Sequence, residues 1–384
     1  MAAHTYTYLF CDLMTDTLLA ELPMSGVTYG YTINGIGTLR GTVPFSDETL
    51  PLDPLNATTP ARTAIYVDRD GVLVWGGILW TREDVAGGKS LQAAEFLSYY
   101  QHRYVKTTLS TDTSLITNPA YVGSAPGAQR LYPDQKGIVW SLLRYARDQV
   151  GGEIGIDLNA LAGTGHGVVR TATYFGYERP EIYKAITDLA AADDGFDFGI
   201  EVGWTQATTG TPPRRYRRAV SYYPRRGRSA DDSGLVFSTG GGASNILSYN
   251  WPEDGTNLVT EMTALGAGSG EARIVKTAAD SDALASGWPL LEGVATYGEV
   301  VDEAQVQGLA NAELEDRSPT QPTFEVLADA DPAFGSYSVG DEALFEIDPE
   351  RQSPYGRSAI LRIVSIENSA SSGPERVRLT CVGA

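Results

Sequence analysis

The runs Ala64-Ile65-Tyr66-Val67 and Val72-Leu73-Val74-Trp75 stand on either side of Asp68-Arg69-Asp70-Gly71. Two apolar, β-branched and aromatic runs around an acid-glycine turn predict an antiparallel hairpin. The chain opens in the same period, Thr5-Tyr6-Thr7-Tyr8-Leu9-Phe10, so that Tyr6, Tyr8 and Phe10 share one face of a strand. Gly76-Gly77 follows the hairpin before Ile78-Leu79-Trp80 and predicts an interruption there, a bulge or a barrel corner. Pro44 to Pro60 has the turn chemistry of an extended loop. Residues up to about 105 are therefore expected to form one compact antiparallel β domain.

The period then changes. Ile138, Leu142, Tyr145, Ala146 and Val150 recur at helical spacing before the stop Gly151-Gly152, and a second helix is predicted from Pro180 through Ile182, Ile186, Leu189 and Ala190 to Gly195. Phe196 to Val202 alternates as a strand, and a short strand follows at Ala219 to Tyr223. From about 235 strands return at Leu235-Val236-Phe237, Ile246 to Tyr249 and Leu258 to Met262, the last two expected to pair across Asp254-Gly255. Asp302, with Gln305 three residues on, has the spacing of a capping box and starts a third helix with Val306, Leu309, Ala310 and Leu314 on one face. Pro319 and Pro322 end it, and the closing strands are Thr323 to Leu327, Ala343 to Ile347, Ser358 to Ile366 and Arg376 to Val382.

Motifs that carry chemistry are missing from this framework. His4, His102 and His166 are far apart and in no metal-ligand spacing. Gly266-Ala267-Gly268-Ser269-Gly270 lies between strands rather than before a helix, so it is neither a nucleophile elbow nor, like Gly240-Gly241-Gly242, a phosphate loop. Carboxylate neighbours such as Asp193-Asp194 and Asp231-Asp232 are what any chain with 48 acids against 29 bases offers. Cys11 and Cys381 are the only cysteines, which excludes a disulfide framework or a cysteine zinc site and predicts two small buried hydrophobes. Without an apolar run of ~18–20 residues or the basic and apolar regions of a signal peptide, no stable membrane insertion is expected. The product is expected to stay where it is made, or to leave by lysis. The sequence predicts no catalysis, no cofactor and no metal.

One segment breaks the acidic pattern. Arg214, Arg215, Arg217, Arg218, Arg225, Arg226 and Arg228 lie together without an intervening acid in a chain of net charge -19. Interleaved with Tyr216, Tyr222 and Tyr223, they can bind a phosphate backbone with base stacking. The alternative is an exposed strand or loop that pairs with the acidic face of a neighbouring subunit, and the acidity of the rest of the chain favours it. A carbohydrate-binding or glycan-degrading β protein is a further reading of the tyrosine, tryptophan and acid content.

The order of elements resembles the minor tail proteins of long-tailed phages. Trp75-Gly76-Gly77-Ile78-Leu79, then Leu91 to Arg103, resembles their first hub domain. Gln135 to Leu143 is similar to the first helix of their α+β domain. Asn257-Leu258-Val259-Thr260, Thr296-Tyr297-Gly298-Glu299 with the helix at 302–316, and Tyr337-Ser338-Val339-Gly340-Asp341 follow in the same order.

This resemblance implies a mainly β protein with α+β insertions, in which two antiparallel, tail-tube-like β-barrels accompany α+β domains. Residues 1–105 would be the first barrel and 106–234 an α+β domain with the arginine-rich loop. Residues 235–318 would hold second-barrel strands and an α+β insertion, and 319–384 the rest of the second barrel. It implies a homotrimeric baseplate hub at the tail tip, similar to that of contractile-tailed phages, which contacts the distal tail protein ring, the tape measure protein and other tail-tip proteins. Phage genomic DNA would pass through it during ejection, and the chain would be assembled in the host cytoplasm and carried in the virion. The arginine-rich stretch is not a motif of that family. No hydrolase or carbohydrate-binding module follows residue 384, so receptor binding and lysis are expected of other proteins.

Overall fold

The computed structural model describes residues 4–383 apart from 47–52, 116–130, 163–167, 193, 209–211, 241–243, 253–254, 257, 317–320, 351–353 and 371–373. His166, Asp193, Gly241, Gly242, Asp254, Asn257 and Pro319, invoked above, lie outside the described residues, as does part of the Pro44–Pro60 segment.

The N-terminal sheet is built from β1 (Tyr6–Asp12), β2 (Leu18–Glu21), β3 (Ser25–Thr32), β4 (Thr38–Pro44), β5 (Thr63–Arg69), β6 (Val72–Val85) and β7 (Gly88–Glu95), with a short helix α1 (Pro54–Ala57) before β5. The predicted hairpin is β5 with β6. Arg69 pairs with Val72 across a two-residue loop in which Asp70 and Gly71 both have positive φ (54° and 86°), the mark of a type I′ turn. The apolar run at 64–67 is buried on both faces. Ile65 and Val67 join Tyr8, Phe10, Tyr29, Leu39, Trp75 and Leu91 in one core, while Ala64 and Tyr66 join Leu9, Cys11 and Ile78 in another. Gly76-Gly77 does not interrupt β6, which runs through both; the bulges fall at Val67/Asp68 and Leu79/Thr81. These glycines answer close approach instead, since a Cβ on Gly77 would sit 2.2 Å from the Ala94 carbonyl oxygen.

The second core also takes the α+β unit: β8 (Leu109–Ser110), α2 (Gln135–Arg147), β9 (Ile156–Asp157), β10 (Thr173–Tyr174), α3 (Ile182–Ala190), β11 (Asp197–Trp204) and β12 (Arg215–Tyr222). Asp134 caps α2 by accepting from the Gly137 N–H at 2.9 Å. Ile138, Leu142 and Tyr145 of α2 and Ile186 and Leu189 of α3 face the sheet side of Tyr66 and Cys11, as their spacing predicts.

Downstream come α4 (Ala230–Ser233), β13 (Val236–Ser238), β14 (Ile246–Asn250), β15 (Glu261–Leu265), β16 (Val275–Ala279), α5 (Ser281–Ala285), β17 (Glu292–Thr296), α6 (Glu303–Asp316), β18 (Thr323–Leu327), β19 (Glu342–Ile347), β20 (Arg357–Ala370) and β21 (Arg376–Gly383). The expected pairing of 246–249 with 258–262 does not form. β14 pairs with β18, while β15 is the centre of a separate sheet between β16 and β17, because it packs Ala264 against Val306, Leu309 and Ala310 of α6. Asp302 caps that helix through the Gln305 N–H at 2.9 Å.

Among the described residues neither β lobe closes into a barrel; the ladders form one open sheet of 13 strands. The reason lies in β3. All seven strands of the N-terminal sheet turn side chains toward one core, yet β2 and β3 at its ends do not pair, because the second edge of β3 is taken by β20. Along one edge β20 carries β19 over Arg357–Arg362 and then β3 over Ser365–Ala370, and its other edge carries β21. Phe237, Phe324, Phe345, Ile363, Leu379 and Cys381 fill the C-terminal core. Both cysteines are buried and unbridged; burial pushes the Cys11 thiol up to about 12.

Candidate functional site

β12 runs through the arginine segment, so alternate residues face opposite sides. Arg217 points inward. Its Nε donates to the Tyr66 hydroxyl at 2.6 Å, Nη1 to the Leu13 carbonyl at 2.8 Å and to that of Ile154, and Nη2 to Asp16 at 2.9 Å. Its guanidinium lies 4.4 Å from the Phe96 ring centroid. Arg215, on the same face, bonds the Asp16 carboxylate at 3.1 Å and the Asp16 carbonyl at 2.6 Å. Arg218 faces the other way, over the Tyr216 ring and 3.9 Å from Asp157.

The turn after β12 reaches the C-terminal lobe. Arg226 donates its backbone N–H to Asp197 at 2.6 Å, and its guanidinium lies 3.6 Å from Glu201. Asp197 also accepts from Arg362 and, at 3.1 Å, from Asn34, so one buried carboxylate gathers donors from both lobes and from the arginine turn. Arg228 binds Asp341 by its Nη2 at 2.7 Å and its backbone N–H at 2.9 Å. Burial acts to raise the Asp341 carboxyl, but the Arg228 and Ser338 hydrogen bonds outweigh it and hold the group below the usual carboxylate range. Arg214 and Arg225 are exposed.

Thus the structure gives Arg215, Arg217, Arg226 and Arg228 partners inside the chain, sets the exposed Arg218 beside Asp157, and leaves Arg214 and Arg225 toward solvent. The partners Asp16, Asp197, Asp341 and Arg362 escaped the sequence reading. Arg362 had a signal, a cation inside the apolar run Ile360-Leu361-Arg362-Ile363, since such a residue is rarely buried unless paired.

Above these contacts lies a cleft of about 560 Å³ between β6, β11 and the 334–339 loop, with Trp75, Glu95, Glu201, Arg226, Phe334 and Tyr337 in its wall. Burial pushes the Glu95 carboxyl up to about 7, against the Gly37 N–H and Arg226. Of the other wall carboxylates, Asp197 is engaged as described, Glu201 accepts from the Tyr222 hydroxyl and Asp70 accepts from the Thr5 N–H at 2.8 Å. Among the described residues no group of His, Cys, Asp or Glu is placed to hold a metal ion, and no helix is long and apolar enough to cross a membrane.

A mainly antiparallel β framework of two linked lobes with an α+β unit packed on the first is the fold of phage tail proteins, the class that the sequence order resembles. The chain is similar over nearly all its length to two solved structures in particular. One is the tail protein from Neisseria meningitidis MC58, with a TM-score of 0.56, 12% identity, and 97% of this chain and 96% of that one covered. The other is the 43 kDa tail protein of prophage MuSo2 from Shewanella oneidensis, with a TM-score of 0.54, 11% identity, and 98% of each chain covered. At such identities the likeness is one of fold. No family model matches the sequence, and no curated protein matches it.

Proposed function

We propose that this chain is a structural tail protein that trimerises into the hub at the tail tip, joins the tail tube to the tip and forms the channel through which DNA leaves. The observation that carries this reading is the end-to-end likeness to two tail proteins, 97% and 98% of this chain, which includes the α+β unit and the connection of the two β lobes. Residues 1–105 and, in the second lobe, 235–250 with 319–384 are the tube-like units of the ring, the separate sheet around β15 standing outside them, and the assembled ring completes the barrels that the single chain leaves open. Its neighbours are the distal tail protein ring, the tape measure protein and other tip proteins. The chain is assembled in the host cytoplasm, resides in the virion and performs no catalysis. The net charge of -19 suits a conduit whose wall must not hold phosphate.

Arg214 and Arg225 are the members of the segment available to an acidic neighbouring subunit. A phosphate-binding groove needs its guanidiniums free, and five of the seven stand beside an acid within the chain, which weighs against the nucleic-acid reading. Immunogold labelling of intact particles with an antibody to this chain tests the proposal. A single cluster at the tail end opposite the capsid, with a solution mass of three chains for the purified protein, is the expected result. Particles without label would overturn it.

A further inference from the structure

One side of the junction between the lobes carries polar groups in two layers, beside Phe334, which packs against both cores with the Arg69 guanidinium 5.5 Å from its ring centroid. Outermost, the His4 ring bridges the lobes: Nδ1 lies 2.6 Å from Asp70 in the β5–β6 turn, and Nε2 lies 2.7 Å from Asp329, beyond β18. Beneath it, Arg69 binds Glu375 at 3.0 Å, and Glu375 also accepts from Tyr6 and Asn368. Asn368 reaches the Tyr29 hydroxyl at 3.0 Å, next to the β3–β20 ladder. This inner layer is incompletely satisfied. Arg69 Nε, Asn368 Oδ1 and the Tyr337 hydroxyl are buried without a hydrogen-bond partner among the described residues, and buried polar atoms left so favour access of water. Arg69, Asp70, Phe334 and Tyr337 also line the cleft, so the seam is one wall of that space.

Both carboxylates can accept from one imidazole only when both ring nitrogens carry hydrogen, that is, in the imidazolium form. A neutral ring keeps one N–H and turns a lone pair toward the other carboxylate. We propose that His4, Asp70 and Asp329 form a pH-operated latch, whose release lets the 68–71 turn and the 328–339 loop part over the cleft while the β3–β20 ladder holds as the hinge.

The charges facing the ring fix the direction. Hydrogen bonds to Asp329 and then Asp70 raise the His4 pKa, Glu375 adds to this, and burial and Arg69 oppose it. A group whose folded pKa is raised contributes fully below its ordinary value, and the contribution is lost as pH rises through the folded value. The Thr5 N–H and then His4 hold Asp70 below the usual carboxylate range, and His4 does the same for Asp329, so the latch also fails as pH falls through those lowered values. It is closed below the ordinary histidine value and opens as pH rises through the raised value of the folded chain.

Hydrogen exchange of the full chain, read by mass spectrometry from pH 5.5 to 8.5 and normalised for intrinsic exchange, tests the latch. In the wild type, peptides covering 66–74 and 328–339 should exchange severalfold faster at the alkaline end, while peptides from β20 and β21 keep their protection. His4→Gln and Asp329→Asn should each exchange fast in the two segments at every pH. Protection that is independent of pH in the wild type would overturn the proposal, as would a pH response kept in His4→Gln. Acceleration spread evenly over the whole chain would overturn it too, since that is global unfolding.

Discussion

Arg217 and Arg69 are buried to similar depth, with side chains 2% and 12% exposed, and each joins distant parts of the chain. Arg217 spends Nε, Nη1 and Nη2 on a hydroxyl, two carbonyls and a carboxylate. Arg69 meets Glu375 through Nη2 and leaves Nε without a partner. A buried guanidinium has lost its water in either case, and only hydrogen bonds return that energy. The comparison separates two kinds of contact. The one between the N-terminal sheet and the α+β unit is satisfied and fixed, whereas the one between the N-terminal sheet and the C-terminal lobe stays partly unpaired when closed.

Removing the fixed contact should have the largest effect. Arg217→Met would remove four hydrogen bonds at once, taking the donor from the Leu13 and Ile154 carbonyls and leaving Asp16 to Arg215 and the Tyr66 hydroxyl, and a loss of about 3–5 kcal/mol in denaturant unfolding is expected; a loss under about 1 kcal/mol would dissolve the contrast. Asp197→Asn comes next. It withdraws the charge that Arg362 and the Arg226 N–H share, at a cost of about 1.5–3 kcal/mol, and a thermal scan that shows no change would mean those bonds are replaced by water. For the other seam, the double variant Arg69→Met/Glu375→Gln removes the ion pair together with its unpaired Nε while keeping an acceptor for Tyr6. Stability within about 1 kcal/mol of wild type is expected, and a deficit as large as that of Arg217→Met would show both contacts to be of one kind. The smallest change is expected for Arg214→Ala/Arg225→Ala, within about 0.5 kcal/mol for the single chain; sedimentation would then reveal whether assembly suffers while stability does not.

Much of this was readable in advance where the information is local. The Asp70-Gly71 turn, the spacing of Ile138, Leu142 and Tyr145, and the Asp302 cap each encode their element within a few residues, and each element is present. Pairing over distance was not readable. Ile246–Tyr249 carries no mark of its partner at 323–326, and the nearest turn signal pointed to the wrong one. Gly76-Gly77 looked like a break because glycine bends strands, yet here it makes room for the Ala94 backbone, which only the folded sheet supplies. The predicted strand began at Ala219, so the sequence neither put Arg215 and Arg217 on one face of β12 nor said that Asp16, some two hundred residues earlier, would be waiting there.

The shared strand has a consequence for biosynthesis. Tyr31 and Ser365, which meet on the β3–β20 ladder, are 334 residues apart. At ~5–20 residues per second a ribosome takes on the order of half a minute to make what lies between them. For that interval β3 emerges with an uncovered edge, able to recruit any passing strand, including that of a sister polypeptide on the same message. A cell that makes this protein must therefore shield an early edge until β20 has been translated, and its yield should depend on holding chaperones far more than its final stability suggests.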